Sequence, residues 1–297
     1  MVKRLLNCFA SDFEQMTAEE LKASIAASEG RTVLSENVCG GTVAGDVTNS
    51  EVARAFGADL ILLNGLDVYQ PFIAGLPETE EPIKTLKKMV GRPVGVNLEP
   101  VDTDAEMAED VLEIAEGRKC TEDTLKKANE LGFDFICLTG NPGTGVTNKE
   151  IQTAVGLAKQ HFNGLIIAGK MHGAGVKEPV VDLEAIEVFL NQGADIILLP
   201  AAGTVPGLSQ REVAEAVKLI KQHGALSLSA IGTSQESADP ATIRDIALMN
   251  KMAGVDIQHI GDAGYGGVAP YTNILELSRA IRGDRHTIHM IAGSNWR

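Results

Sequence analysis

Four short turns constrain this chain more than any other feature. Gly57-Ala58-Asp59, Gly132-Phe133-Asp134, Gly193-Ala194-Asp195 and Gly254-Val255-Asp256 each end a helical stretch and open a short apolar run. Glycine just past a helix is the residue that takes the left-handed conformation closing the last turn. A short apolar run bounded in this way reads as a buried strand. Four further strands fall between these, at 31–38, 92–99, 164–170 and 225–231, and helical periodicity separates them all. Eight strands alternating with eight helices in 297 residues make an α/β chain of the (β/α)8 TIM-barrel kind. Nothing marks the reversal of strand order that a doubly wound sheet would need.

The chain reads as one domain, 1–297, with three additions to the barrel. Residues 1–30 form an N-terminal helical extension, in which Thr17 and Glu20 make a capping box. The acidic segment 102–117 is either a helix inserted after strand three, lying over the barrel mouth, or the first half of one helix broken at Gly117. Residues 284–297 form a C-terminal tail carrying Ile288 and Trp296, a contact for a second copy in a homo-oligomer or a flap on its own barrel.

Composition narrows the function classes. The formal charge is −14, with no basic stripe, which argues against nucleic acid. Cys8, Cys39, Cys120 and Cys137 form no Cys-x-x-Cys pair, so neither a zinc site nor a disulfide framework is indicated. No apolar run is long enough to span a membrane. The expectation is a cytoplasmic protein whose partner is a small molecule, with no nucleic-acid or membrane partner.

In a barrel of this kind, chemistry sits where strands end and the following loops begin. Those positions are unusually polar: Glu36, Asn37, Asn64, Asp67, Asn97, Glu99, Thr139, Asn141, Lys170, His172, Thr204, the stretch 233–236, His259 and Asp262. Small and polar residues are expected to face the barrel axis. That assigns Gly95, Asn97 and Glu99 inward in strand three, Ile166, Ala168, Lys170 and His172 in strand five, and Ser227, Ser229 and Ile231 in strand seven.

Lys170 can neutralise an anionic substrate or, if desolvated, attack a carbonyl as a Schiff-base nucleophile. A plain salt bridge to Glu99 or Glu36 is the structural alternative. His172 and Glu99 are candidate proton carriers beside it. Asp67 and Glu99, with Asn64 and Asn97, could hold Mg²⁺ through oxygen. Thr233, Ser234, Gly264, Gly266 and Gly267, in the loops after strands seven and eight, could present backbone N–H groups to a phosphate. Glu36, Asn64, Asn97 and Asn141 would complete the substrate site. Asp262 and Glu236 add negative charge where a phosphate would lie. Cys39 has no adjacent base in sequence and reads as a small buried residue.

Four stretches carry a resemblance: VTNSEVARAFGADLILLN at 47–64, LTGNPGTGVT at 138–147, AGKMHGAG at 168–175 and GDAGYGG at 261–267. Through them the whole chain resembles a bacterial barrel family of unsettled function, often placed near the phosphoenolpyruvate phosphonomutases. True phosphoenolpyruvate mutases and isocitrate lyases carry a paired-aspartate metal motif and a Lys-Lys-Cys-Gly-His-type loop. Neither occurs in this chain, and Arg118-Lys119-Cys120-Thr121 does not replace the loop, so no catalytic residue is carried over.

The residues together predict an enzyme acting on a small anionic, phosphorylated carbonyl metabolite by lyase or isomerase chemistry, phosphonomutase-like or aldolase-like. Two alternatives remain at this point. One is a metal-dependent hydrolase of a phosphorylated or acylated metabolite. The other is a barrel that binds a sugar phosphate without turning it over.

Overall fold

The computed structural model describes residues 2–105, 107, 112–173 and 175–297. Eight parallel strands close into a barrel in sequence order: β1 (Thr32–Val38), β2 (Leu60–Asn64), β3 (Val94–Asn97), β4 (Phe135–Leu138), β5 (Leu165–Gly169), β6 (Ile196–Pro200), β7 (Leu226–Ile231) and β8 (Ile257–Ile260). Two short helices come first, α1 (Ala10–Phe13) and α2 (Ala18–Ala26). One helix then follows each strand: α3 (Asn49–Ala55), α4 (Pro82–Val90), α5 (Glu122–Leu131), α6 (Asn148–His161), α7 (Leu183–Gln192), α8 (Gln210–Gln222), α9 (Pro240–Ala253) and α10 (Tyr271–Ala292). Among the described residues, no helix is long and apolar enough to cross a membrane.

The four Gly-x-Asp turns are staples at the N-terminal rim. Each glycine has a positive φ, from 84° at Gly132 to 116° at Gly57. Each aspartate then accepts the first or second amide of the preceding strand: Asp59 from Val33 (2.8 Å), Asp134 from Val94 (2.8 Å), Asp195 from Ile166 (3.2 Å) and Asp256 from Ser227 (3.0 Å). A cation neutralises each one: Arg282, Lys87, Lys22 and Lys221 respectively. The repeat therefore registers each even strand against its odd neighbour and leaves the opposite rim free for chemistry.

Side-chain alternation corrects part of the expected facing. Leu165, Ile167 and Met171 of the fifth strand region, and Leu226, Leu228 and Ala230 of β7, pack inside the barrel with Leu34, Leu62 and Phe135. Ile166, Ala168 and Ile231 lie in the outer layer against the helices, the face to which Lys170 belongs by alternation. Ser227 is turned to Asp256. The physical reason is volume. A barrel interior is filled by bulky apolar side chains, and polarity begins only in its last layer. The expected facing holds in β3, where Gly95 makes room for a neighbour: a Cβ there would lie 2.2 Å from the Phe135 ring. Phe13, Leu21, Ile25 and Met290, from α1, α2 and α10, close the bottom of the interior.

The helix expected over 102–117 is not found in the described part of that segment; residues 106 and 108–111 lie outside the described residues. The chain leaves β3 and returns beside it, with Glu99 paired in parallel to Lys119. Asp102 and Leu112 donate their amides to Gly145 and Gly143, so the segment lies along the loop after β4. One 3-10 turn, Glu116–Arg118, precedes α5. The C-terminal segment is helical up to Ala292, across a break at Gly283 (φ 69°), and folds onto the bottom of its own barrel. Met290 is buried there, and Arg92 donates to its carbonyl.

Candidate active site

The polar layer begins where the strands end. Glu36 of β1, Asn64 of β2 and Asn97 of β3 take the last inward positions, and each is buried. With Thr139, His172 and the loops after β7 and β8 they enclose a cavity of ≈ 140 Å³ at the barrel mouth. The β7 loop contributes Thr233 and Ser234, at φ 58° and 67°. Left-handed backbone at two successive non-glycine residues, one of them β-branched, is strained and is typical of functional loops. Thr233 is held by donating its hydroxyl to the Thr204 carbonyl (2.8 Å).

A hydrogen-bonded relay runs along one wall. Arg118 is ion-paired with Glu99 Oε1 at 2.7 Å. Glu99 accepts the Asn141 side-chain amide on Oε1 and the Asn141 backbone N–H on Oε2, both at 2.8 Å. The Asn141 and Asn64 side chains exchange two bonds, at 2.9 and 3.0 Å, and Asn97 donates to Asn64 Oδ1 at 3.3 Å. Asn64 in turn donates to Asp262 Oδ2 at 2.8 Å. The relay fixes the orientation of the Asn141 and Asn64 amides, because each has its donor and acceptor sides assigned by its neighbours.

Asp262 is where the relay ends, on the cavity wall. Its pKa is pushed up to about 7, first by burial and then by the Glu36 carboxylate, with Glu236 adding to the rise. The Asn64 bond and His259 pull it back. Glu36 accepts from His259 Nε2 at 2.8 Å, and both are almost wholly buried. Glu236 accepts the Ala263 amide on Oε1 (2.9 Å), while its buried Oε2 has no partner within the described residues. His172 has its pKa lowered, chiefly by burial and also by Lys170, against opposing pulls from Glu36 and Glu99.

The structure brings together Glu36, Asn64, Asn97, Asn141, His172, Thr233 and Ser234 around the cavity. It places other expected residues elsewhere. Lys170 does not line the cavity; its ammonium pairs with Glu178 at 2.5 Å, not with Glu99 or Glu36. Glu99 lies behind Asn141, with both oxygens engaged, so it positions the relay rather than facing a substrate.

Gly264, Gly266 and Gly267 also stand off the cavity. Their carbonyls accept from Gly267, from Asn49 and from Val38 respectively, which folds the loop back onto β1 and α3. A Cβ on Gly264 would meet the Val268 carbonyl oxygen at 1.9 Å, so close backbone packing demands this glycine. The expected metal pair, Asp67 and Glu99, is not among the residues lining the cavity. Asp67 accepts the Tyr69 amide and packs on Gly117, while Glu99 is bound as above. Among the described residues, no group of three or more histidine, cysteine, aspartate or glutamate side chains is arranged to hold a metal ion. Burial pushes the Cys39 thiol up to about 12, which makes it inert.

The sequence places Asp262 and Glu236 at the polar rim but gives them no role beyond opposing a phosphate. The signal that could have promoted Asp262 is its position: it is the second residue past an apolar strand, flanked by Gly261 and Gly264 and thus drawn close to the axis.

Comparison with known proteins bears on the fold. A 2,3-dimethylmalate lyase of the PEP mutase/isocitrate lyase superfamily aligns over 83% of this chain and 81% of its own, at 14% identity and a TM-score of 0.51. A provisionally assigned fructose-1,6-biphosphate aldolase from Coccidioides immitis aligns over 94% and 97%, at 13% identity and a TM-score of 0.50. A phosphonopyruvate hydrolase, solved with oxalate and Mg++, aligns over 85% and 81%, at 14% identity and a TM-score of 0.47. Likeness at this level is likeness of the barrel and does not carry chemistry across. No curated protein sequence matches significantly. Over residues 6–297, almost its whole length, the sequence matches one family, and the chain belongs to it: the domain of unknown function DUF7916.

Proposed function

We propose that this chain is an enzyme that moves protons beside the carbonyl of a small polar substrate, in lyase or isomerase chemistry, with Asp262 as the acid–base group. The Asp262 carboxyl carries this reading: it lines the cavity and is aimed by Asn64 at the end of a four-residue relay from Glu99. Its pKa of about 7 lets it both take and return a proton at neutral pH. In its ionised form it removes the proton from the carbon next to the carbonyl. The electron pair moves onto the carbonyl oxygen. His172, kept neutral by burial, is a hydrogen-bond donor for that oxygen. Return of the proton to a neighbouring atom gives an isomer, and departure of a group on the next carbon gives a lyase product.

The cavity limits the substrate. At ≈ 140 Å³ it is well below the roughly 300–1,000 Å³ of pockets for drug-sized ligands, which suits a compound of a few carbons. The phosphorylated anion expected from the sequence fits poorly. Glu36, Glu236 and Asp262 all face this space, and among the described residues no lysine or arginine lines it. The closing glycines expected to hold a phosphate are not among the residues that line this space.

The test is hydrogen exchange. The protein is incubated in D2O with a panel of aldehydes and ketones of about two to five carbons, and deuterium at the adjacent carbon is followed by NMR. Exchange with at least one compound, lost in Asp262→Asn, is the expected result. Exchange that persists unchanged in that variant would remove Asp262 from the proposed role.

A further inference from the structure

The cavity wall specifies the charge of what enters it. Two buried polar atoms among its lining residues have no partner within the described residues: Glu236 Oε2 and Asn97 Oδ1, on side chains 2% and 3% exposed. Both are acceptors. Glu36 is a third acceptor group, its Oε2 taken by His259. The Asn64 donor on this wall is already committed to Asp262 and Asn141. The two cations nearest in the network are committed as well, Arg118 to Glu99 and Lys170 to Glu178. A buried carboxylate oxygen with no donor is costly, and a ligand that brings N–H groups and positive charge removes that cost.

We infer that the substrate carries a primary ammonium group, drawn into the cavity by the Glu236, Glu36 and Asp262 carboxylates that line it, so that the enzyme acts on a small amino-carbonyl compound. An ammonium supplies three donors in a compact head. Glu236, whose Oε2 lacks a donor, is the acceptor for one of them. The bound charge also opposes the crowding of carboxylates that raises the Asp262 pKa, so binding itself moves Asp262 toward the carboxylate that removes a proton. The inference rests on the proton-transfer reading for its carbonyl, but the ammonium seat stands on the wall alone.

The experiment is calorimetric titration in metal-free buffer with aminoacetone, set against hydroxyacetone, its near-isostere without charge, and glycolate as the anion. The expected result is aminoacetone binding more than about tenfold tighter than hydroxyacetone, weakened by about tenfold or more in Glu236→Gln. Circular dichroism and thermal melting confirm that the variant folds, and Asn97→Asp, which adds a charge at the second acceptor, should tighten aminoacetone. Equal or tighter binding of hydroxyacetone or glycolate overturns the inference. So does binding of Mg²⁺ by this wall with none of aminoacetone. The two readings separate cleanly: aminoacetone bound without deuterium exchange supports the ammonium seat and sinks the proton-transfer proposal, whereas exchange confined to neutral or anionic carbonyls does the reverse.

Discussion

Replacing Asp262 by asparagine should make the protein more stable, by an amount that grows with pH. The side chain keeps its shape and can still accept from Asn64, but it cannot ionise. In the folded chain the Asp262 pKa is about 7, against an ordinary value of 3.8. For an acid raised in this way, the folded state binds the proton more tightly than the unfolded chain. Its contribution is fully present below pH ~4 and is lost as pH rises through about 7. Three pKa units correspond to about 4 kcal/mol at pH 8, and to roughly 1.5–2 kcal/mol at pH 5, where the loss has only begun. For a chain of this length those figures are melting-point gains of roughly 6 °C and 3 °C. Calorimetric melts of the two proteins at both pH values measure the difference. A gain that does not change between pH 5 and pH 8, or a variant less stable at pH 8, would refute the idea that a buried carboxylate is held here against its own solvation. A stabilising change that destroys activity is what a strained active-site charge should produce.

Other consequences follow from the same contacts. Asn64→Ala removes the bond that lowers the Asp262 pKa, so the pH midpoint of the exchange reaction should move to higher pH; a shift to lower pH contradicts the relay. Arg282→Met leaves Asp59, 0% exposed, without its counter-ion, and should cost about 3–5 kcal/mol, or roughly 5–8 °C in Tm. Gly264→Ala forces a methyl onto the Val268 carbonyl and should cost about 2–4 kcal/mol while leaving aminoacetone binding measurable, since the loop is structural. Borohydride reduction with any carbonyl of the panel should leave Lys170 unmodified by mass spectrometry; an adduct there would restore the Schiff-base mechanism.

The barrel was legible because its signal is local and repeated. Gly57, Gly132, Gly193 and Gly254 mark helix ends, and the aspartates two residues on mark strand starts, whatever surrounds them. The rim positions were legible for the same reason, since a strand's end is read along the chain. What was not legible was which rim residues meet. Lys170 and His172 are two residues apart, yet Lys170 turns to Glu178 and away from the cavity, because Met171 and Ile167 fill the inward positions. Glu99 and Asp67 look equally fit for a metal, but Arg118 and the Tyr69 amide claim them, partners set by loop paths that periodicity does not encode. Asp262 gains its character from Glu36 and Asn64, which are 226 and 198 positions away in the chain, and from burial among them. The described part of the segment 102–117 carries no α-helix because it is tied instead to the loop after β4, through the Asp102 and Leu112 amides, a long-range partner that periodicity does not encode.

The claim on which all of this depends is that Asp262 titrates near neutrality. Carbon-13 NMR of the protein labelled at aspartate side-chain carboxyls, with Asp262→Asn to assign the resonance, reads that titration directly. The account predicts a midpoint at about 7, moving down when aminoacetone is bound. A midpoint near the ordinary aspartate value of 3.8 would contradict it.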